Sequence, residues 1–228
     1  MTGKYGDHVR EHRSLLMAAE KRFLVWVAER MPRQVNSDHL TAVGIAGMFV
    51  AGLGYWAARW DERALLVVVG AIVVNWFGDS LDGTLARVRN CQRPRYGYYV
   101  DHVIDIVGVL FLLGGLALSG YVTPLLAVGL LAGFLMVSAE AYLATHALGV
   151  FRLSFMRIGP TELRLLLVAG TLKLLWSPLV ELRGVGAFLL FDVGAVCGLA
   201  AMAVTLVVSA VRNTRFLYRA EPLSRNSA

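Results

Sequence analysis

Long uncharged stretches, separated by short charged segments, dominate the pattern of hydrophobic and polar positions along this chain. Residues 42–58, 64–78 and 193–211 contain no Asp, Glu, Lys or Arg, and residues 165–180 contain only Lys173. A helix that crosses the ~30 Å hydrocarbon core of a bilayer needs about 20 mainly apolar residues. These stretches therefore predict transmembrane helices.

A further uncharged stretch, residues 106–139, is too long for one crossing. The segment Ser-Gly-Tyr-Val-Thr-Pro at 119–124 is typical of a turn and divides the stretch into two helices. The whole pattern predicts six transmembrane helices, at about 39–58, 63–86, 98–119, 124–147, 162–180 and 187–211.

The segment before the first predicted span, residues 8–31, mixes apolar and basic side chains, among them Leu15, Leu16, Phe23, Leu24, Trp26, Arg13, Lys21, Arg22 and Arg30. This pattern favours an amphipathic helix on the inner face of the membrane. A helix packed on the bundle is the alternative. We therefore predict an all-α polytopic membrane protein, a single domain over residues 1–228, with six transmembrane helices and this interfacial helix.

The composition agrees with a membrane protein, because 57% of the residues are hydrophobic. Eighteen of the 22 Lys and Arg residues fall in four segments on one side of the predicted spans, at 1–37, 87–96, 149–164 and 212–228. The positive-inside rule places both termini in the cytoplasm, and we expect an inner cell membrane. The net charge of +6 is spread over several loops, so nucleic-acid binding is not expected.

Four aspartates lie where two of these spans meet the cytoplasm. Asp79 and Asp82 share a face of the second predicted helix, and Asp101 and Asp105 share a face of the third. At about 1.5 Å per residue, Asp79 lies roughly 24 Å along its helix, while Asp101 and Asp105 lie about 5 and 10 Å along theirs. The two pairs thus reach a similar depth, where poorly solvated carboxylates require cations or protons.

Carboxylate oxygens favour hard cations such as Mg²⁺ and Mn²⁺, and four of them can hold two ions, as recurs in phosphoryl chemistry. Gly83 and Ala86 lie on the same helix face as Asp79, and their small size leaves the helix surface there open to a ligand. Arg87, at the cytoplasmic opening of the site, can bind a phosphate. Together these features predict a diphosphate ligand. The alternative, in which the acids cap helices or pair with Arg87 and Arg89, explains one or two acids more easily than four.

The pattern Asp79-x-x-Asp82-Gly83-x-x-Ala86-Arg87, followed by Gly97-x-x-x-Asp101-x-x-x-Asp105, resembles the signature of the CDP-alcohol phosphotransferase (CDP-alcohol phosphatidyltransferase) family. The resemblance implies a six-span core and transfer of a substituted phosphate from a CDP-alcohol to a second alcohol, with release of CMP. It also implies two divalent cations and, as in many members, a homodimer. One spacing differs, since nine residues, 88–96, precede Gly97 where eight are usual.

The resemblance also implies a role for each matching residue. Asp79, Asp82 and Asp101 would bind the cations, and Asp105 would share one of them and act as the general base. Gly83, Ala86 and Arg87 would line the nucleotide site. Near the nucleotide the family often has a Pro-Asn-x-x-Thr element, and Ser37-Asp38-His39-Leu40-Thr41 stands in its place here, so Asp38 and Thr41 are nucleotide candidates. Capping of the first span is the alternative for Ser37 and Asp38.

A second polar group follows the fourth predicted span, and its members are candidates for an acceptor or headgroup pocket: Glu140, Arg152, Arg157, Glu162 and Arg164. Glu162 and the arginines also have simpler interpretations. Gly-Pro-Thr-Glu at 159–162 is typical of a helix start, where Glu162 suits the positive end of the dipole. The arginines also satisfy the positive-inside rule.

The signature does not determine the substrates. We favour CDP-diacylglycerol as donor and a small polar alcohol as acceptor, because the six-span protein is compact. The alternative is transfer from CDP-choline or CDP-ethanolamine to diacylglycerol, which the Asp101-His102 pair favours by resemblance. A divalent-cation transporter is an alternative of another class, but the outer side offers no second acidic cluster. A membrane prenyltransferase would carry DDxxD-type runs, which are absent from the sequence.

Overall fold

The computed structural model describes residues 15–148, 160–182 and 184–221. Seven helices and one hairpin occupy these ranges: α1 (Leu15–Arg30), α2 (Ser37–Ala57), α3 (Ala64–Val88), α4 (Pro94–Ala117), α5 (Pro124–Leu148), α6 (Pro160–Leu174), β1 (Leu179–Leu182), β2 (Gly186–Leu189) and α7 (Leu190–Ala220). The predicted helical, polytopic membrane fold is confirmed.

Among the described residues, five helices are long and apolar enough to cross a membrane, namely α2, α3, α4, α5 and α7. They coincide with five of the predicted spans to within a few residues at their starts. The C-terminal span is longer than predicted, since α7 has 31 residues and ends at Ala220. Its last turns carry three of the four basic residues that the sequence pattern assigned to a tail, namely Arg212, Arg215 and Arg219.

The prediction departs from the structure between 160 and 189. The predicted span 162–180 corresponds to α6, which has only 15 residues and is therefore roughly 22 Å long. The antiparallel hairpin β1–β2 follows it, with Leu179 paired to Leu189 and Leu182 to Gly186. Ser177-Pro178 stops the helix, because proline lacks the amide hydrogen that a helix needs. The fold is thus helical with one short hairpin rather than purely α.

Helix α2 is the centre of the bundle, because it packs against both α3 and α4. Glycines permit the close approach. A Cβ at Gly78 of α3 would lie 2.6 Å from the backbone N of Gly44 in α2. On the other side of α2, a Cβ at Gly52 would overlap the Phe111 carbonyl of α4. Small residues at such contacts allow membrane helices to pack backbone to backbone.

The amphipathic helix packs on the bundle as well as presenting aromatic residues outward. Leu24 and Ala28 are buried in a cluster with Leu81 and Leu85 of α3, whereas Trp26 is exposed. Glu20 accepts a hydrogen bond from the Trp76 indole at 2.8 Å, which adds a polar link to α3. Residues 8–14 of the predicted amphipathic segment lie outside the described residues.

Helix α6 is anchored through a polar contact inside the core. The Tyr55 hydroxyl and the Thr171 hydroxyl are 2.6 Å apart, and both side chains are fully buried. The Tyr55 ring also packs edge-on against Phe191 of α7. The hydroxyl contact links α6 to α2, while α6 packs mainly against α3, and Arg164 near its N-terminal end reaches Asp79.

Candidate metal and substrate site

Three of the four predicted metal ligands come together. Asp79 belongs to α3, and Asp101 and Asp105 lie one turn apart on α4. Each offers one carboxylate oxygen, and the three oxygens all lie within 4.8 Å of one another. Metal–oxygen distances are about 2.0–2.6 Å for Mg²⁺ and Ca²⁺, so one hard cation between these oxygens fits their separation and their chemistry.

Asp82, the fourth predicted ligand, is not in this group of three. The Thr41 hydroxyl donates to its Oδ2 atom at 2.7 Å, and the Gly83 amide donates to its Oδ1 atom at 2.5 Å. The Ser37 hydroxyl donates to its carbonyl oxygen at 2.9 Å. These bonds join the start of α2 to the inner end of α3, and they make Thr41 a residue that orients Asp82.

An ion pair to the carboxylate group comes from α6. Nη2 of Arg164 donates to Oδ2 of Asp79 at 2.7 Å, and Nε donates to Oδ1 of Asn75 at 2.9 Å. The sequence predicted Arg164 as part of an acceptor pocket. In the structure, Arg164 bonds to Asp79, which is a predicted metal ligand. The alternative partners, Arg87 and Arg89, bind elsewhere.

Asn75 is a site residue that the sequence analysis missed. Its side chain is buried, and its amide donates to the Gly44 carbonyl at 2.9 Å while its oxygen accepts from Arg164. The only signal in the sequence is a single amide within an apolar helix, one turn before Asp79. A lone Asn of this kind is also common as a helix–helix contact, so the pattern could not identify its neighbour.

Arg87 lies along its own helix in the structure. Its Nη2 atom donates to the Thr84 hydroxyl at 3.0 Å. Its Nη1 atom would be 3.4 Å from a Cβ added at Gly83, so the end of the arginine covers the strip that Gly83 leaves open. Ala86 on the same helix is half-buried. The guanidinium is exposed at the mouth of the site, where the sequence predicted a phosphate contact.

Residues around the predicted nucleotide site, at the starts of α2 and α4, contact one another. Asp38 forms an ion pair with Arg93, whose guanidinium also lies 4.0 Å from the centroid of the Tyr96 ring. The N-cap of α2 is Asn36, whose side chain accepts from the His39 amide at 2.9 Å, so the capping role considered for Ser37 and Asp38 is corrected. Both residues remain beside the mouth of the site.

The predicted acceptor residues do not form one group among the described residues. Glu140 on α5 accepts from Ser209 at 2.8 Å and from Asn213 at 2.9 Å, both on α7. Glu162 lies in the first turn of α6, as its helix-start motif predicted. Arg152 and Arg157 lie outside the described residues. The sequence could not predict the partners of Glu140, because they are about 70 positions away along the chain.

An aromatic cluster adjoins the acids on α4. The His102 ring lies 4.2 Å from the centroid of Tyr98 and 5.2 Å from that of Tyr142. His102 is adjacent to Asp101 in the chain, and Tyr142 comes from α5, so the cluster joins these helices beside the carboxylates. The sequence analysis noted His102 but missed both tyrosines.

Fold and site together define a polytopic membrane protein with a carboxylate cluster suited to a divalent cation. The sequence matches the family model for CDP-alcohol phosphatidyltransferase over residues 36–211. The chain therefore belongs to the CDP-alcohol phosphatidyltransferase family, and the predicted resemblance is confirmed. A comparison with curated proteins returned no match.

Proposed function

We propose that this protein is a metal-dependent enzyme that transfers a phosphatidyl group from CDP-diacylglycerol to the hydroxyl of a small polar alcohol and releases CMP. Membership of the family supports transfer of a phosphate group from a CDP-alcohol to an acceptor. The observation that carries the proposal is the group of carboxylate oxygens of Asp79, Asp101 and Asp105 within 4.8 Å of one another.

Asp79, Asp101 and Asp105 would hold one divalent cation, and Asp82 would contribute to a second. Such cations, Mg²⁺ or Mn²⁺, neutralise negative charge on a diphosphate and on the leaving CMP. Thr41 orients Asp82 through its hydroxyl. Gly83, Ala86 and Arg87 would bind the nucleotide end of the donor, and a charge-assisted contact from Arg87 suits its phosphates.

Asp105 is our candidate for the general base. An alcohol attacks poorly unless a base accepts its proton in the transition state. Asp105 lies one turn farther along α4 than Asp101, on the same face, so an acceptor hydroxyl can reach it between the diphosphate and the helix. Glu140 is less suited, because its two carboxylate oxygens accept hydrogen bonds from Ser209 and Asn213.

The site would open both to lipid and to the cytoplasm. Its acids lie near the ends of α3 and α4, where one substrate can enter from the bilayer and the other from water. We propose that the termini and the site face the cytoplasm from an inner membrane, as the distribution of Lys and Arg predicts. The homodimer remains a prediction of the family resemblance.

A second candidate is transfer from CDP-choline or CDP-ethanolamine to diacylglycerol. The observation that favours it is the aromatic cluster of Tyr98, His102 and Tyr142 beside the acids. Aromatic faces attract ammonium groups through cation–π interactions. No such observation in the described residues favours a cation transporter.

The test is purified full-length protein with Mn²⁺ or Mg²⁺, assayed for CMP release against a panel of CDP-alcohols and acceptors, with lipid products identified by mass spectrometry. We expect CMP release from CDP-diacylglycerol that depends on a polar acceptor and stops after chelation. Activity that survives exhaustive chelation contradicts metal dependence. Mn²⁺ transport into vesicles without CMP release from any donor would support the transporter instead.

A further inference from the structure

Arg164 is held between two partners on α3. Its Nε atom donates to Asn75 at 2.9 Å and its Nη2 atom to Asp79 at 2.7 Å. Asn75 is itself fixed by its bond to the Gly44 carbonyl of α2. The side chains of Arg164 and Asp79 are only 19% and 30% exposed. The guanidinium is therefore a positioned cation within the carboxylate group, and not a surface arginine.

We propose that Arg164 is an internal counter-ion of the carboxylate group, which stabilises the metal-free protein and opposes divalent-cation binding at Asp79. The inference rests on the proposed function only in taking the three carboxylates as a cation site. It assigns Arg164 a role distinct from the acceptor contact predicted from the sequence. Arg164 is thus a positioning residue that sets how tightly the site holds its cation.

Arg164 has two opposite effects on the affinity of the site for a cation. By holding Oδ2 of Asp79, the guanidinium orients the carboxylate, and loss of such an orienting partner typically weakens metal binding by about 10–100-fold. A positive charge beside the site has the reverse effect, because it repels the incoming ion. The sign of the net effect therefore depends on how strongly the charges interact.

The geometry indicates that repulsion is the larger effect. If a cation bound the other carboxylate oxygen of Asp79, Oδ1, at the usual metal–oxygen distance, it would lie roughly 5–7 Å from the guanidinium. Even with the screening of bulk water, repulsion between +1 and +2 charges at that distance lowers affinity by roughly tenfold. Because only 19% and 30% of the two side chains are exposed, an effective dielectric constant of about 20 is more appropriate. At that value the same repulsion lowers affinity by roughly 10³–10⁵-fold, which exceeds the effect of orientation.

The same contact supplies positive charge to the carboxylate group when no cation is bound. Carboxylates within 4.8 Å of one another repel, and the repulsion is greatest when no cation is bound. Arg164 offsets part of it. By reciprocal linkage, a group that stabilises the metal-free protein more than the metal-bound protein lowers the affinity for metal. A cation held in this way is exchangeable, whereas an uncompensated acidic group would bind it more tightly.

The experiment measures Mn²⁺ binding to the full-length protein in detergent by electron paramagnetic resonance of free Mn²⁺, and melting temperature with and without Mn²⁺. Arg164→Met and Arg164→Gln remove the charge, and Gln keeps a partner for Asn75. We expect both to bind Mn²⁺ at least about tenfold more tightly than wild type. Their metal-free melting temperature should fall, and Mn²⁺ should raise it by more than in wild type.

Two further variants distinguish the effect of the Arg164 charge from the effect of its hydrogen-bond geometry. Arg164→Lys keeps the charge but loses the planar fork that bonds Asn75 and Asp79 together, and we expect its Mn²⁺ affinity within about threefold of wild type. Lys173→Met removes an exposed cation from the same helix, and it should change neither affinity nor the Mn²⁺-induced shift. Weaker binding in all three Arg164 variants would show that orientation dominates and would overturn the proposal. Unchanged binding in the Met and Gln variants would overturn it too.

These outcomes are independent of the reaction. If wild-type protein releases no CMP from any donor but the variants bind Mn²⁺ in the expected order, the proposed function fails and the counter-ion role stands. If wild type releases CMP and the variants show the reverse order, the role of Arg164 is wrong and the proposed function stands. If wild-type protein binds no Mn²⁺, the cation site itself is wrong and the inference fails with it.

Discussion

Nη2 of Arg164 lies 2.7 Å from Oδ2 of Asp79, although 85 positions separate the two residues in the chain. This ion pair ties the N-terminal end of α6 to the carboxylate group, while the bond of Thr171 to Tyr55 ties the other end to α2. Helix α6 is therefore part of the site and not merely one more helix of the bundle.

The Asp105→Asn variant tests whether Asp105 acts as the general base or mainly as a metal ligand. Asn keeps the shape and one coordinating oxygen but cannot accept a proton, so we expect turnover to fall by about 10²–10⁴-fold while CDP-alcohol affinity is largely retained. Calorimetry of nucleotide binding beside turnover on the same preparation gives both numbers. Asp79→Asn should instead weaken metal and nucleotide binding together. If Asp105→Asn loses metal and nucleotide binding to the same extent as Asp79→Asn, Asp105 is chiefly a metal ligand.

Glu140→Gln tests the other candidate base. Because the Glu140 carboxylate accepts from Ser209 and Asn213, we expect this variant mainly to lower the melting temperature through the contact between α5 and α7. Its loss of turnover should be far smaller than that of Asp105→Asn. A loss of 10²-fold or more, the range typical of a general base, would move the base assignment to Glu140.

Arg87→Ala should weaken binding of the CDP-alcohol. Its guanidinium lies at the mouth of the site and is bonded only weakly, to the neutral Thr84 hydroxyl at 3.0 Å, so it can turn to a phosphate at small cost. A charge-assisted contact contributes about 1.5–3 kcal/mol, and KM for the donor should rise by roughly 10–100-fold. Thr84→Val is the matched control, since it releases Arg87 without removing it. An unchanged KM in Arg87→Ala would remove Arg87 from the nucleotide site.

Thr41→Val removes the hydroxyl that donates to Oδ2 of Asp82 at 2.7 Å and keeps the β-branched shape. Hydrogen bonds to charged groups contribute about 1.5–3 kcal/mol, so we expect turnover at limiting Mn²⁺ to fall by roughly 10–100-fold. Thr41→Ser should restore most of it. Thr205→Val is the control, because that hydroxyl bonds the Ala201 carbonyl of its own helix. Equal losses at Thr41 and Thr205 would contradict the orienting role.

Gly78→Ala tests the packing that positions the acids. Its Cβ would lie 2.6 Å from backbone atoms of Gly44 and Leu40, and backbone atoms can yield only by moving α2 away from α3. We expect a lower melting temperature and a loss of activity, with overpacking typically costing about 1–3 kcal/mol. Gly70→Ala on the same helix meets nothing within 4 Å and should be neutral or stabilising. The prediction is wrong if the two variants melt alike.

Parts of the structure were predictable because they depend on neighbours along the chain. Five apolar helices appear where uncharged stretches required them, since the cost of exposing backbone groups to lipid leaves few alternatives. The i, i+4 spacing of Asp101 and Asp105 placed both on one face of α4. In contrast, the hairpin β1–β2 replaced the end of a predicted span. A short, mainly apolar sequence such as Leu-Val-Glu-Leu at Leu179–Leu182 suits a strand as well as a helix, and hydropathy does not distinguish them.

The sequence by itself determined the class of protein, the acids and their helical faces, because hydrophobicity and helical periodicity act locally. Only the tertiary structure decided the partners of two of these acids: Thr41 donates to Asp82, and Arg164, which also donates to Asn75, donates to Asp79. Those partners come from other helices, and their proximity depends on how closely α2 approaches α3 through Gly44 and Gly78. The crossing of two helices follows from packing over many residues, so no local pattern encodes it.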